Sequence, residues 1–252
     1  MSAAWLNKLF RPSLKQIADF SFLGVDMHSH LLPGIDDGAQ TMEESVELIL
    51  GLVDLGFTKL VTTPHIMIDG FVNTAEIINN KLKILRERLA IEAIDIQIEA
   101  AAEYFLDEGF LKDIKNNELL SFGPGNYVLF ELSYINKPGN LEQVIFDLCS
   151  KGYTPVLAHA ERYTYYHAES LSAYRNIINA GALLQTNILS IDGLYKSENR
   201  YFAELLVKQG LISFLGTDLH HIRQLELLRK SLKAKYVKFA KEKNKLLNSI
   251  LQ

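Results

Sequence analysis

Cysteine is almost absent from this chain. With one thiol, Cys149, in 252 residues, an internal disulfide is excluded, as is a zinc site built from several thiolates. Cys149 falls in an apolar run, Val144–Cys149, so a packed helical position in a reducing compartment is expected. No apolar stretch reaches the roughly 18–20 residues that span a bilayer. The first 22 residues carry Lys8, Arg11 and Lys15 and lack the unbroken apolar core and cleavage site of a secretory signal. The expected location is therefore the cytoplasm. Neither sign of charge dominates: 26 Lys and Arg face 30 Asp and Glu, a net of −4, which gives no electrostatic case for nucleic acid. Internal repeats, low-complexity tracts and interdomain linkers are missing too.

What the sequence does have is an alternation of short apolar runs with longer helical stretches. Seven runs read as strands: Leu23–His28, Lys59–Thr63, Ile96–Glu103, Tyr127–Leu132, Thr154–His159, Leu183–Asn187 and Leu211–Gly216. Between them, Met42–Leu55, Thr74–Ile91, Asn140–Lys151, Ser170–Ala180 and Asn199–Gln209 have helical periodicity. Thr41 and Glu44 form a capping-box pattern, and Gly56, Gly152, Gly181 and Gly210 stand where helices stop. Strands separated by helices must pair in parallel, because parallel neighbours need crossover connections. The expectation is an α/β protein with a closed or nearly closed barrel. An open doubly wound sheet is the alternative, but no glycine-rich phosphate loop follows the first strand. The segment division predicted is an N-terminal helical extension over 1–22, in which Trp5, Leu6, Leu9 and Phe10 share one face, a barrel over 23–224, and a basic helical tail over 225–252 packed on or extending from the barrel.

The histidines and acids fall at one place in this scheme. His28 and His30 end the first strand and His65 follows the second. Glu103 ends the third, Glu131 lies at the end of the fourth, His159 ends the fifth, and Asp218 and His220 follow the seventh. Only His167 and His221, of seven histidines, lie elsewhere. The carboxyl ends of barrel strands converge on one face, so these side chains share one mouth. His28 with His30, and Asp218 with His220, have period-two spacing and project to the same side of an extended segment. Buried imidazoles and carboxylates in such number call for a compensating cation. Ligands without thiolate suit zinc, manganese or iron. Asp36 and Asp37, in the Pro33–Gly38 turn, are both within reach of a metal. The number of ligands implies two or three ions with Glu103 bridging, a cluster able to bind a phosphate oxygen and activate a water. Arg162 and Arg223 are placed to clamp the remaining phosphate oxygens.

The segments Asp26–Gly38, Thr62–His65, Ala102–Tyr104, Phe130–Ser133, Ala158–Tyr163 and Gly216–His220 resemble, in order, the polymerase-and-histidinol-phosphatase (PHP) family. Within it they are similar to the bacterial tyrosine-protein phosphatases of capsule and exopolysaccharide loci. That resemblance implies a distorted seven-stranded, (β/α)7 TIM-like barrel and a trinuclear centre, usually manganese-dependent. It also implies a phosphotyrosine protein as substrate, a bacterial tyrosine kinase. Carried over by position, one metal takes His28, His30, Glu103 and Asp218. A second takes Glu103, Glu131 and His159, and a third takes His65, His220 and an acid from the Asp36–Asp37 pair, with Asp37 favoured. Arg162 matches the family's phosphate-binding arginine, and Arg223 lies near a second. Ala160 and Leu219 depart from the family's usual proline and small residue, and the basic tail falls outside the resemblance. Two other functions compete: a phosphoesterase acting on a small monoester such as histidinol phosphate or on a nucleic-acid phosphodiester, and an idle regulator that binds through its terminal segments.

Overall fold

The computed structural model describes residues 17–169, 171–192 and 197–252; the apolar face at Trp5–Phe10 lies outside them. In chain order the elements are β1 (Val25–Asp26), α1 (Met42–Asp54), β2 (Lys59–Thr62), β3 (His65–Ile66), α2 (Ala75–Ile91), β4 (Gln97–Ala100) and β5 (Glu103–Phe105). There follow α3 (Glu108–Asn116), β6 (Tyr127–Glu131), α4 (Leu141–Ser150), β7 (Thr154–Leu157), α5 (Thr164–His167), α6 (Leu171–Asn179) and β8 (Leu183–Asn187). The remainder is α7 (Ile188–Asp192), α8 (Ser197–Lys208), β9 (Phe214–Gly216), α9 (Ile222–Ser231), α10 (Lys235–Lys243) and a 3-10 turn over Asn248–Leu251.

Every pairing between these strands is parallel, as the intervening helices require. One expected strand, Ile96–Glu103, is broken in two, and a short extra strand, β3, follows the expected Lys59–Thr63. Pro64 has no N–H to give a ladder, and it separates β2 from β3; Ala101 and Ala102 separate β4 from β5. The result is a three-stranded sheet, β1-β2-β4, and a six-stranded sheet, β3-β5-β6-β7-β8-β9, in place of one continuous seven-stranded ring. Backbone bonds carry the chain across the breaks: Ala101 N donates to Thr62 O at 2.9 Å and Glu103 N to Pro64 O at 3.0 Å. At the far edge, Asp218 N donates to His28 O at 2.8 Å and His30 N to Leu219 O at 3.0 Å, with a parallel bridge between Ser29 and Leu219. The continuation of β1 thereby lies beside that of β9.

Two apolar layers follow from the strand period of two. In β6, Val128 and Phe130 pack outward among the helices, whereas Tyr127 and Leu129 join an inner cluster with Val25, Met27, Val61, Val156, Ala158 and Phe214. Glu131 has the same parity as the inner pair. Helix α1 begins where its cap predicts, with Thr41 Oγ1 accepting from Glu44 N at 3.2 Å; Glu44 reaches back to Gln40 N rather than closing a box with Thr41.

The basic tail is two helices and a plug. Leu228, Leu232, Val237 and Ala240 are buried while the lysines face outward. Leu251 enters the inner cluster, opposite the strand ends that carry the histidines. Asn248 is fully buried, donating to Val25 O at 3.0 Å and Leu215 O at 2.7 Å and accepting from Leu215 N at 3.1 Å. Lys59 Nζ donates to Leu251 O at 2.7 Å. Cys149 departs from expectation: it is exposed, because α4 turns Leu141, Val144, Ile145 and Leu148 inward and the next position rotates about 100° away. No helix among the described residues is long and apolar enough to cross a membrane.

Candidate metal centre

All nine residues expected as metal ligands meet at the carboxyl ends of the strands. They form overlapping groups whose ligand atoms lie within 4.8 Å of one another: His30, Asp37, His65 and His220; His28, His30 and Glu103; His28, His159 and Asp218; His65, Glu103 and Glu131. Glu103 is the hub, fully buried, with Oε2 3.1 Å from His28 Nε2, 3.4 Å from His30 Nε2 and 3.3 Å from His65 Nδ1, and Oε1 2.8 Å from His159 Nε2. Asp218 Oδ1 lies 3.3 Å from His28 Nε2 and 3.6 Å from His30 Nε2. The grouping differs from the expected division: His30 also joins Asp37, His65 and His220, His159 joins His28 and Asp218, and Glu131 stands nearer His65, at 3.2 Å, than His159, at 3.7 Å.

The two aspartates of the Pro33–Gly38 turn separate cleanly. Asp36 is buried and accepts from His30 Nδ1 at 2.8 Å and from Gly38 N at 3.0 Å, so it holds a histidine from behind. Asp37 faces the cavity, 3.5 Å from His65 Nε2 and 3.3 Å from His220 Nε2. Gly38 is required by close approach: a Cβ there would collide with the His30 backbone and side chain. Gly216 is in the same position beneath His28, whose Cβ an added methyl would meet at 2.8 Å.

The donor set fits divalent cations. Three imidazoles have Nδ1 tied to an acceptor: His28 to Gln185 Oε1 at 3.1 Å, His30 to Asp36, and His220 to Asp218 O at 3.0 Å. Each therefore presents Nε2 to the centre, the arrangement that fixes the tautomer of a metal-binding histidine. The Nε2 atoms of His28 and His30 face one another at 3.4 Å, where two unprotonated nitrogens repel unless a cation lies between them. His65 Nδ1 is buried and makes no hydrogen bond despite two carboxylates nearby. Charge within the cluster is mutually held. Burial works against a charged His28, yet Glu103 and Asp218 push its imidazole up to about 9. Burial alone would raise Glu103, but His28 and His65 keep it well below the ordinary carboxylate range.

Backbone geometry contributes as much as strand placement. His159 (φ 30°, ψ 53°) and Asp218 (φ 51°) both occupy the left-handed region, at a cost of about 1–2 kcal/mol each. Strict alternation from Leu157, which faces the helices, would send His159 the same way; the left-handed turn brings its ring inward.

Strand β8 supplies no expected ligand and was silent in sequence. It supplies the supports. Gln185 Oε1 accepts from both His28 Nδ1 and His159 N, the latter at 2.7 Å, while its Nε2 donates to Asn187 Oδ1 at 2.8 Å. Asn187 Nδ2 in turn donates to Asp218 Oδ2 at 2.6 Å, and its backbone N donates to Glu161 Oε1 at 3.2 Å. The period-two pair of amides Gln185 and Asn187, in a strand buried from Leu184 onward, is the signal that could have pointed to them.

Above the cluster opens a cavity of about 380 Å³ lined on its walls by Met67, Phe71, Tyr134, Arg162 and Gln224. Phe71 lies flat against His65, with ring centroids 5.4 Å apart. Arg162 is brought to the rim by the 3-10 turn after His159, with Nη1 3.4 Å from Asp218 Oδ2 and its guanidinium 4.6 Å from the Tyr134 ring centre. Arg223 is not brought in. It is exposed on the first turn of α9, outside the cavity lining.

Residues 24–247 match the family model described as capsular polysaccharide synthesis, CpsB/CapC, so the match takes in most of the basic tail. Tyrosine-protein phosphatase YwqE of Bacillus subtilis is 30% identical over 199 residues, covering 79% of this chain and 78% of that protein. Tyrosine-protein phosphatase CpsB of Streptococcus agalactiae is 26% identical over 203 residues, covering 79% and 83%. Among solved structures, a chain from work on YwqE of Bacillus subtilis and CpsB of Streptococcus pneumoniae, metal-dependent tyrosine phosphatases, superposes with a TM-score of 0.78 at 28% identity, covering 90% of both chains.

Proposed function

Because this chain belongs to the CpsB/CapC family of capsular polysaccharide synthesis, we propose that it is a metal-dependent protein-tyrosine phosphatase. The observation that carries this is the convergence of five imidazoles and four carboxylates at one mouth with a cationic rim. Its substrate is a phosphotyrosine protein, a bacterial tyrosine kinase that controls capsule or exopolysaccharide synthesis, and it acts in the cytoplasm. The strands, joined edge to edge at Ser29 and Leu219, are read as a distorted seven-stranded PHP barrel running from residue 23 and floored by the tail beyond 224.

Two or three divalent ions, manganese in preference to zinc or iron, are assigned to this site. His28, His30, Glu103 and Asp218 would hold one, Glu103, Glu131 and His159 a second, and His65, His220 and Asp37 a third. The facing Nε2 atoms and the shared Glu103 carboxylate support this division. Bound ions supply Lewis-acid polarisation of a phosphate oxygen and lower the pKa of a water molecule. The chain's own residues do the rest. Arg162 offers a planar, permanently charged fork to the phosphate oxygens. Gln185, Asn187 and Asp36 hold the ligands so that little reorganisation is needed when charge develops. Phe71 and Met67 give the cavity an apolar wall suited to an aryl ester.

Release of phosphate from p-nitrophenyl phosphate and phosphotyrosyl peptides, with and without manganese, tests the proposal. A metal-stimulated rate on both is expected, with phosphotyrosyl peptides preferred over histidinol phosphate by catalytic efficiency. No metal-stimulated release, or a preference for the small monoester, would count against it.

A further inference from the structure

One phenol at the mouth belongs neither to the core nor to the metal-binding set. Tyr134 lies three residues beyond Glu131, in the loop after β6, and is 40% exposed. Its hydroxyl nevertheless turns inward, 3.3 Å from His159 Nε2 and 3.5 Å from Glu131 Oε2. Both distances are long for a hydroxyl bond, so the proton is committed to neither. Other tyrosines in this protein behave differently. The hydroxyls of Tyr104, Tyr163 and Tyr165 engage main-chain groups of Leu120, Leu132 and Ser133 at 2.7, 2.9 and 2.8 Å. Tyr104 and Tyr165 close a local structural bond. Tyr163, although 3.3 Å from His159 Nδ1, has its hydroxyl oxygen tied to the Leu132 amide and no exposure to the mouth. Tyr134 combines contact with the centre and access from the cavity.

Its ring is held firmly. It stacks on Tyr163, centroids 5.6 Å apart and planes 20° from parallel, and Tyr163 is itself fully buried. Onto this platform comes Arg162, with its guanidinium carbon 4.6 Å from the Tyr134 ring centre. A guanidinium attracted to a ring face makes that contact through its own π system and not through its N–H groups, so the ring orients the fork.

Building on the phosphatase reading, we propose that Tyr134 is a further substrate-contacting residue: its hydroxyl donates to an oxygen of the bound phosphate monoester, and its ring fixes Arg162 on the same phosphate. The two parts are separable by substitution. Tyr134→Phe keeps the ring and removes the donor; Tyr134→Leu removes both.

The test uses the full chain loaded with manganese. Metal content, kcat and KM for p-nitrophenyl phosphate and a phosphotyrosyl peptide, and calorimetric affinity for inorganic phosphate are measured for each variant. Tyr134→Phe should retain its metal and lose about 10–100-fold in phosphate affinity and in kcat/KM, the range for a hydrogen bond to a charged group. Tyr134→Leu should lose more, and in its background Arg162→Lys should cost far less than in the parent chain, a coupling that a merely structural tyrosine would not produce. Parental phosphate affinity and kcat/KM in Tyr134→Phe would overturn the inference. So would loss of metal in step with activity, which would make the hydroxyl a support for the ligands. If the parent chain releases no phosphate, the phosphatase reading falls and this inference with it; an active parent with an indifferent Tyr134→Phe overturns this inference alone.

Discussion

Replacing Gln185 by leucine should weaken the metal centre from a residue that touches neither metal nor substrate. Gln185 is fully buried, and its amide makes three bonds: to His28 Nδ1 at 3.1 Å, to His159 N at 2.7 Å and to Asn187 Oδ1 at 2.8 Å. Leucine fills similar space and makes none of them. The His159 amide and the Asn187 side-chain oxygen are then left buried without these partners, at about 1–3 kcal/mol each, so the metal-free protein should lose roughly 2–6 kcal/mol of stability. His28 loses the acceptor that keeps its proton on Nδ1. Loss of such an outer partner lowers metal affinity by about 10–100-fold, or roughly 1.4–2.7 kcal/mol. Urea unfolding in a chelator measures the first quantity and calorimetric titration with manganese the second. At saturating manganese most of the parental rate should return. A variant destabilised as calculated but binding manganese within twofold of the parent would refute the role assigned to the His28 tautomer.

Asp26 should make metal-free stability pH-dependent. Burial raises its carboxyl to about 6, against the opposing pull of Thr217, so the folded state holds the proton more tightly than the unfolded chain. The stabilisation is full below about pH 4 and is lost as pH rises through 6, on the order of 2–3 kcal/mol, and Asp26→Asn should flatten that window in urea titrations. Leu251→Ala should cost about 2–5 kcal/mol by opening the inner cluster from below, read as a fall in the denaturation midpoint. Asp36→Ala should destabilise the metal-free protein by about 3–5 kcal/mol because it strips a buried partner from His30. Asp37→Ala, at a side chain 58% exposed, should leave the metal-free melting temperature nearly unchanged while lowering the number of ions bound.

Strand ends were the legible part of the site. Parallel strands and helices alternate too regularly in sequence to be missed, and histidines or acids at or just after the ends of six of the seven runs locate the mouth without coordinates. Residues whose role depends on tertiary partners were not legible. Gln185 and Asn187 read as two polar interruptions in β8 until His28 and Asp218 are seen beside them. The left-handed backbone at His159 leaves no trace in composition, since histidine is not a residue that announces such a turn. Pro64 could have been read as a strand break, but the step at Ala101–Ala102 is forced by its neighbour and has no local cause. Helix α3 was missed because it is short and half polar. Cys149 and Arg223 were misplaced for one reason: a helical position shifts about 100° per residue, so proximity in sequence to a buried or functional neighbour says little about facing.

The buried Asn248 has a consequence for how the protein comes into being. A ribosome delivers His28, His65 and Glu103 long before residue 248. Val25 and Leu215, whose carbonyls Asn248 joins, therefore wait for their shared partner until residue 248 has emerged. In that interval β1 is an unfinished strand edge, and unfinished edges recruit foreign strands. The tail is thus a late-arriving guard against misassembly, and chaperone demand should be greatest for nascent chains that end just short of it.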